Sequence, residues 1–585
     1  MFFGPTRELF AFYHAPLAAQ RAGSIVLCPP HGWDFEATYR AYGDLAERLA
    51  LAGFAVLRFH YDGTGNSSGA DHDPDRLQTW CTDLVHAVGE VRARSGEHSV
   101  SLFGVRIGGL VAALTAPKLD DVSAMVLWAP TLAGKTYVRE LKAMRMINPN
   151  ESILTGKVLG GEEAGGFMLS AQTVAALGAV KLLDTPVGAK RYLVLGRDDL
   201  PRGDEKFLAH LSANGADVTA VDIPGYQAMM VDPLDSVIPS AAWDRIVAYL
   251  SEVHPIAATA HNRGTPSAAD AVSQVRMDAG APLVRERAVR FGGDSELFGV
   301  VTEPTEAQER AAGTRTGVIY LNTGANPHMG PHRMYVPLAR ELATRGIVSL
   351  RFDLEGFADS PPRTGSPPDS YSPFMVDNTR TAIDFLQTTC GVNRIVVAGM
   401  CSGAYHAFHT ALADSRVTAT VLLRPQVFSW EKDEALDQER RKNYRIWRYY
   451  LNRTLDRDAW LKALRGQARY DSIVSAIAGR VKTIAVDSKN KILSRLRGED
   501  QNEPKLAKRF RTLLDRKSTV VLVYSKEDAG LDHLKVQVGD YLPALRANDH
   551  FKLVLMDGKD YTFAATVSQD QLKEVVSSFM ISQFV

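Results

Sequence analysis

The hydrophobic pattern of the chain occurs twice. Apolar runs typical of buried strands each end in a glycine-containing loop, and a helical stretch follows the loop. The matching segments keep one order in both halves: residues 8–10 and 296–298, 24–27 and 317–321, 45–50 and 338–343, 56–59 and 349–352, 102–108 and 397–403, and 126–130 and 421–425. Strands that alternate with helices predict a mostly parallel sheet with helices on both faces. We therefore expect an α/β fold, present as two tandem domains.

The composition between the halves indicates where the domains meet. Residues 254–283 are rich in alanine, serine and proline, which is typical of a linker. The sequence thus predicts domains at 1–253 and 284–585.

Overall composition excludes several classes of protein. The 67 lysines and arginines balance 67 aspartates and glutamates, so net charge favours neither a nucleic-acid partner nor a membrane surface. The sequence contains no uninterrupted apolar run of about 18 residues, so no membrane insertion is expected. The four cysteines lack metal-ligand spacing, and reduced thiols fit a cytoplasmic protein. We expect neither a metal nor a cofactor.

A glycine-flanked turn follows a predicted strand in each half and precedes a predicted helix. Such a turn presents its central side chain at the helix N-terminus. In the first half the central residue is Arg106, which stays protonated and cannot attack a carbonyl. It is either an anion-binding arginine or a structural one. In the second half it is Cys401, a candidate nucleophile, although cysteines after apolar strands are often packing residues. Ser402 lies one step out of frame and is expected to border the pocket.

These turns resemble the nucleophile elbows of α/β-hydrolases, and the resemblance covers nearly the whole chain. The first half resembles hydrolase-like proteins of the serine-aminopeptidase type that accompany polysaccharide and natural-product pathways. The second elbow, Gly399 to Gly403, resembles the cysteine elbow of polyhydroxyalkanoate synthases and some dienelactone hydrolases. The stretch from Cys401 to Tyr405 is also similar to cysteine-bearing hydrolases of exopolysaccharide gene clusters.

The resemblance implies positions for the other catalytic groups. The acid follows the next core strand, at Asp199 or Asp198 in the first half and at Asp528 in the second. The base follows the last strand, where related sequences have histidine and this chain has Tyr561. Tyrosine is a poor base at neutral pH. Among other histidines, His328 is the best substitute.

The loop after the first parallel strand of each half normally supplies an oxyanion N–H. In the second half it contains Thr323, Gly324 and Ala325. In the first half it contains His31, which we expect to border the pocket with Arg106 and Asp199.

The second half also carries an insertion. The distance from elbow to acid is 127 residues there, against 93 in the first half, which predicts a helical lid at about 430–517. Between 431 and 517 there are 23 lysines and arginines against 13 acidic residues. This excess is either an ordinary charged helix face or a site for an anionic group, such as coenzyme A, an acyl carrier protein or an anionic saccharide.

These features predict an acyl-transfer enzyme in a biosynthetic pathway, with Cys401 attacking a thioester or an ester. The outcome could be transfer, cyclisation or hydrolysis. The partner of this enzyme would be a small-molecule acyl substrate. Coenzyme A or an acyl carrier protein could present it. The alternative is a non-catalytic pseudohydrolase that binds a ligand or a partner protein, which the arginine elbow and Tyr561 favour.

Overall fold

A computed structural model describes residues 1–147, 161–257, 271–278, 280–305, 314–362, 371–429, 503–526, 528–557 and 563–585. Over these ranges the chain forms one large sheet in each half, and helices cover both faces of each sheet. In the described ranges, no helix has both the length and the hydropathy needed to cross a bilayer.

Within the described ranges, the first half contains ten strands, of which β7 and β8 form a separate hairpin. The strands are β1 (Phe2–Phe3), β2 (Leu9–His14), β3 (Ser24–Cys28), β4 (Ala55–His60), β5 (Val100–Val105), β6 (Val122–Trp128), β7 (Glu162–Ala164), β8 (Phe167–Leu169), β9 (Arg191–Leu195) and β10 (Asp217–Val221). The helices are α1 (Trp33–Leu51), α2 (Arg76–Ser95), α3 (Ile107–Thr115), α4 (Gly134–Ile147), α5 (Ala171–Ala179), α6 (Glu205–Ala213), α7 (Tyr226–Met229) and α8 (Ser240–Val253).

The second half repeats this organisation around a nine-stranded sheet. Its strands are β11 (Val272–Val275), β12 (Val284–Phe291), β13 (Leu297–Glu303), β14 (Thr316–Leu321), β15 (Val348–Phe352), β16 (Arg394–Met400), β17 (Val417–Leu423), β18 (Thr519–Ser525) and β19 (Phe551–Met556). Its described helices are α9 (Tyr335–Thr344), α10 (Phe374–Cys390), α11 (Ser402–Ala413), α12 (Lys505–Asp515), α13 (Ala529–Val538), α14 (Leu542–Arg546) and α15 (Thr566–Phe584).

The two sheets share one strand order. The order β2-β4-β3-β5-β6-β9-β10 in the first sheet corresponds to β13-β15-β14-β16-β17-β18-β19 in the second. In each sheet the first of these strands is antiparallel to its neighbour and the rest are parallel. Arg106 and Cys401 follow the corresponding strands β5 and β16. The predicted tandem α/β fold is confirmed.

Two stretches differ from the sequence-based expectation. The expected linker contains β11, which pairs antiparallel with β12. Its alternate residues Ser273 and Val275 are buried, as in a strand with one face against the core. The last part of the expected lid is α12, a helix of the main fold. Its apolar residues at 506, 507, 510, 513 and 514 recur at helical spacing and are buried in the core beside β18. Residues 430–502 of the expected lid lie outside the described ranges.

The halves contact each other through corresponding polar residues. Arg58 of β4 forms a buried ion pair with Asp359 of the second half. In the opposite direction, from the second half to the first, Arg351 of β15 donates to Asn66 at 3.0 Å. Arg351 lies 293 residues after Arg58, and Asp359 lies 293 residues after Asn66, so the two contacts correspond in the repeat. The buried carboxylate of Glu286 accepts a further hydrogen bond from Arg351 at 2.7 Å. The two arginine contacts are therefore related by the internal repeat, and Glu286 offsets part of the positive charge of Arg351.

Candidate functional site

The elbow of the second half holds Cys401 in a strained backbone conformation. Its φ of 55° and ψ of −111° match the φ of 52° and ψ of −117° of Arg106 in the first half. The Cys401 amide donates to the Leu423 carbonyl at 3.0 Å, and the residue caps α11. Its side chain is partly exposed, whereas Cys28, Cys81 and Cys390 are buried.

Close backbone packing explains the two elbow glycines. A Cβ added to Gly399 would lie 2.4 Å from the carbonyl carbon of Gly403. A Cβ on Gly403 would lie 2.7 Å from the Asn322 oxygen and 2.8 Å from the Leu321 oxygen. Strand, helix and the preceding loop meet here at backbone distance, which fixes the position of the Cys401 side chain.

The expected oxyanion loop is bonded to the elbow. The Gly324 amide donates to the Ser402 hydroxyl at 2.8 Å, so this N–H already has an acceptor. Thr323 bonds the Tyr335 hydroxyl at 3.2 Å, and that hydroxyl accepts from the Met400 amide at 3.1 Å. Ala325 is half-buried. The backbone N–H of Ser402 is a candidate donor, because the first amides of a helix have no acceptor within it, and no acceptor is recorded for the Ala325 N–H among the described residues.

Asp528 has partners that the sequence did not suggest. Its side chain is fully buried and accepts from Arg424 Nε at 2.7 Å and Gln426 Nε2 at 3.2 Å. It also caps α13 by accepting from the Gly530 amide at 2.8 Å. The carboxylate lies after β18, where the fold places its acid, but it forms an ion pair with an arginine.

His328 lies in the contact between the halves. Its Nδ1 is 2.8 Å from Asp353 Oδ2, and its Nε2 is 2.8 Å from Asn66 Nδ2. Its ring is completely buried. Both ring nitrogens have partners, which corrects the expectation that His328 could replace the missing base. Tyr561 lies outside the described residues.

The elbow arginine of the first half is neutralised by carboxylates. Arg106 Nε donates to Asp34 at 2.6 Å, a second donor reaches Glu140, and Nη1 lies 3.4 Å from the Tyr226 hydroxyl. Burial alone would lower the pKa of Arg106, but Asp34, Tyr226 and Glu140 together raise it above its ordinary value. Arg106 therefore stays charged, and its charge is compensated within the protein.

Of the other expected first-half residues, His31 lines the same cleft as Arg106 and Asp199 does not. Asp199 forms a two-point ion pair with Arg197, at 2.8 and 2.6 Å. His31 is buried against Trp80, with ring centroids 5.0 Å apart. Burial lowers the pKa of His31 to about 4, so its ring is neutral at physiological pH.

Sequence comparison relates both halves to one family. The family model of serine aminopeptidases (S33) matches residues 22–183 and 313–470. No curated protein matches the chain.

Solved structures similar to this chain each correspond to about one half of it. Est1E from Butyrivibrio proteoclasticus is 18% identical, with a TM-score of 0.31, over 43% of this chain and 98% of that one. An esterase from Pyrococcus furiosus is 14% identical, with a TM-score of 0.32, over 52% and 91%. A monoacylglycerol lipase from Paleococcus ferrophilus is 19% identical, with a TM-score of 0.30, over 42% and 99%.

Proposed function

Because the chain belongs to the serine aminopeptidase (S33) family of α/β-hydrolases, we propose that its second half transfers acyl groups through Cys401. The substrate would be a small-molecule thioester or ester. The fate of the acyl group would be transfer, cyclisation or hydrolysis.

The observation that carries the proposal is the setting of Cys401. It is the partly exposed cysteine of the chain, in the conformation of an elbow nucleophile and at the start of α11. Thiolates at helix N-termini are favoured by the helix dipole and attack carbonyl carbons without a general base. A serine at this position would depend on a histidine, and His328 is engaged elsewhere.

The reaction is balanced without a cofactor. The Cys401 thiolate adds to the substrate carbonyl, and the oxyanion is held by the N–H at the start of α11. A carbon–sulfur bond to Cys401 forms as the bond to the departing thiolate breaks. With a thioester substrate the step is nearly neutral in energy, because one thioester replaces another. Water, a hydroxyl or an amine then attacks the acyl-enzyme carbonyl and gives up its proton to solvent. The carbon–sulfur bond breaks, and Cys401 leaves as a thiolate.

The basic stretch from 431 onwards suggests how the substrate could be presented. Its positive excess suits the phosphates of coenzyme A or the acidic surface of an acyl carrier protein. Residues 430–502 lie outside the described ranges, and the charge count of this stretch is taken from the sequence.

Release of free coenzyme A from short-chain acyl-coenzyme A tests the activity. We expect wild type to release thiol and both Cys401→Ala and Cys401→Ser to fall to the uncatalysed rate. Cys390→Ala is the matched control. Cys390 is buried in one apolar cluster of the second half, whereas Cys401 packs against another, so this substitution should leave the rate unchanged. An unchanged rate in Cys401→Ala would exclude the proposal.

A specific observation favours the alternative of a binding protein. The Asp528 carboxylate forms an ion pair with Arg424 and accepts a hydrogen bond from Gln426, so it has partners without a catalytic histidine. A site that has lost both base and acid could retain its shape for binding a ligand or a partner protein. Slow thiol release that does not depend on Cys401 would support this alternative.

A further inference from the structure

The turn that contains the Ala325 N–H is closed by one side chain of the loop after β14. Asn322 Nδ2 donates to the Asn326 carbonyl at 2.9 Å across this turn. The Asn326 amide donates to the Thr323 carbonyl at 3.0 Å. The same Nδ2 of Asn322 also donates to Asp353 Oδ1 at 2.9 Å. The position of the turn therefore depends on the buried carboxylate of Asp353.

Asp353 is connected to the first half of the chain through His328. Its carboxylate accepts from the His328 amide at 2.7 Å and lies 2.8 Å from His328 Nδ1. On the other side of the ring, His328 Nε2 lies 2.8 Å from Asn66 Nδ2, across the contact between the halves. A continuous chain of hydrogen bonds thus runs from Asn322 in the second half to Asn66 in the first.

The orientation of the Asn66 amide determines which atoms of this chain donate. Arg351 Nη1 can only donate, and it lies 3.0 Å from Asn66 Oδ1, so Asn66 Nδ2 is the atom that faces His328. His328 Nε2 must then accept, which places the ring hydrogen on Nδ1, where it donates to Asp353. Because every donor faces an acceptor, Asn66 selects one orientation of the His328 ring.

The backbone around Asn66 is also held by the second half. The Asn66 carbonyl accepts from Arg340 Nη2 at 2.9 Å. Arg333 donates to the carbonyls on either side of it, those of Gly65 and Ser67, at 2.7 Å each. Asn66 is completely buried. Its side-chain amide is therefore a fixed point against which the His328 ring is placed.

The chain of hydrogen bonds is specific to the half that carries Cys401. The first half has different residues at the three corresponding positions, 293 residues earlier in the sequence: Pro29, Phe35 and His60. The side chains of proline and phenylalanine have no donor or acceptor, so the first half cannot form the same chain. The polar support is therefore present in the half with the candidate nucleophile.

We propose that the first half is a built-in positioning partner for the oxyanion loop of the second half, with Asn66 as the positioning residue. Asn66 orients the His328 ring, and the ring orients Asp353. Asp353 then holds the turn from which the Ala325 N–H donates to the oxyanion formed at Cys401. A misplacement of about 1 Å can cost about 10²-fold in rate, so fixing this turn has a kinetic consequence. The inference rests on the acyl transfer proposed for Cys401.

Two reactions of the same thiol separate positioning of the loop from folding. Acylation of Cys401 by an acyl-coenzyme A forms an oxyanion, whereas alkylation by iodoacetamide displaces iodide from a saturated carbon and forms none. Asn66→Ala in the full chain should slow acylation, measured by intact mass, at least about tenfold. The same variant should alkylate within about twofold of the wild-type rate, because the thiolate itself is unchanged.

A matched control removes a different contact between the halves. Glu8→Gln eliminates the ion pair with Arg276, at 3.3 Å, and should change neither rate. If Asn66→Ala does not fold, Asn66→Ser takes its place, because its hydroxyl can accept from Arg351 but is too short to reach His328 as well. The same selective loss of acylation is expected.

The inference is overturned if the folded Asn66 variant is acylated at the wild-type rate, or if acylation and alkylation slow together. It is also overturned if neither Asn66 variant folds, since Asn66 would then be needed for folding itself. A wild-type protein that alkylates at Cys401 but is never acylated would contradict the proposed acyl transfer, and this inference with it. Equal acylation of wild type and the Asn66 variant would contradict the inference alone.

Discussion

The four cysteines differ in exposure and in backbone setting. Burial raises the pKa of Cys28, Cys81 and Cys390. Cys401 is partly exposed at the start of α11, where backbone amides stabilise negative charge. We predict that iodoacetamide labels Cys401 first, and peptide mapping over a time course would measure this. Equal labelling rates at Cys401 and Cys81 would contradict the prediction.

The ion pair of Asp528 also leads to a prediction. Tyr561→His would restore the residue that related sequences have, but Asp528 is held by Arg424. We therefore expect Tyr561→His alone to raise thioester hydrolysis little. Combined with Arg424→Ala, it should raise hydrolysis about 10²-fold, because a histidine and a carboxylate released from Arg424 together provide general-base assistance.

The choice of alanine follows from the repeat, since the first half has Ala129 where the second has Arg424. Arg424→Ala alone is the control and should not raise the rate. If Tyr561→His and the double variant hydrolyse the thioester equally fast, the ion pair with Arg424 does not keep Asp528 from assisting the histidine.

At the level of elements, the elbow depends on backbone contact between α11 and the end of β14. Gly403→Ala would place a methyl group against two carbonyl oxygens, so we predict a loss of about 1–3 kcal/mol in unfolding free energy. Gly89→Ala, in the exposed middle of α2 with nothing within 4 Å, is the matched control and should stabilise by about 0.5–1 kcal/mol. Chemical denaturation measures both, and equal effects would contradict the packing argument.

The repeated pattern predicted two α/β domains because the same apolar runs recur in the same order in both halves, and the two sheets share one strand order. The lid predicted from the longer elbow-to-acid spacing of the second half extends to residue 517 and so includes α12. Its buried residues at 506, 510 and 513 have the periodicity of a core helix, and that periodicity could have identified it.

At the scale of the whole molecule, the site residues that sequence could not predict are those with distant partners. His328 is separated from Asn66 by 262 residues, and Arg106 from Asp34 by 72. The pairing of Asp528 with Arg424 depends on how two loops pack after β17 and β18. The motif identified Cys401 and Arg106, but their neighbours come from loops and helices far away in the sequence of the same half.

That contact also predicts a pH dependence. Glu36 of α1 accepts a hydrogen bond from the His332 amide of the other half, and burial raises its pKa from 4.5 to about 8. The carboxyl group is therefore protonated in the folded protein and ionised in the unfolded chain between these values. Its contribution to stability is complete below pH 4.5 and is lost as the pH rises to 8, by at most about 5 kcal/mol.

Glu36→Gln keeps an acceptor for His332 and cannot ionise, so we predict a flatter stability profile from pH 5 to 8. Part of the slope should remain, because burial also raises the pKa of Asp83 to about 8. Glu47→Gln, exposed on the same helix, is the control. Denaturation midpoints across pH measure the effect, and identical profiles for wild type and Glu36→Gln would contradict it.

The intact mass of the protein after brief exposure to an acyl-coenzyme A shows directly whether Cys401 is acylated. We predict a gain of one acyl group in wild type, located at Cys401 by peptide mapping, and no gain in Cys401→Ala. An unmodified wild-type mass at every time point, or an acyl group on another residue, would contradict the claim that Cys401 is the nucleophile.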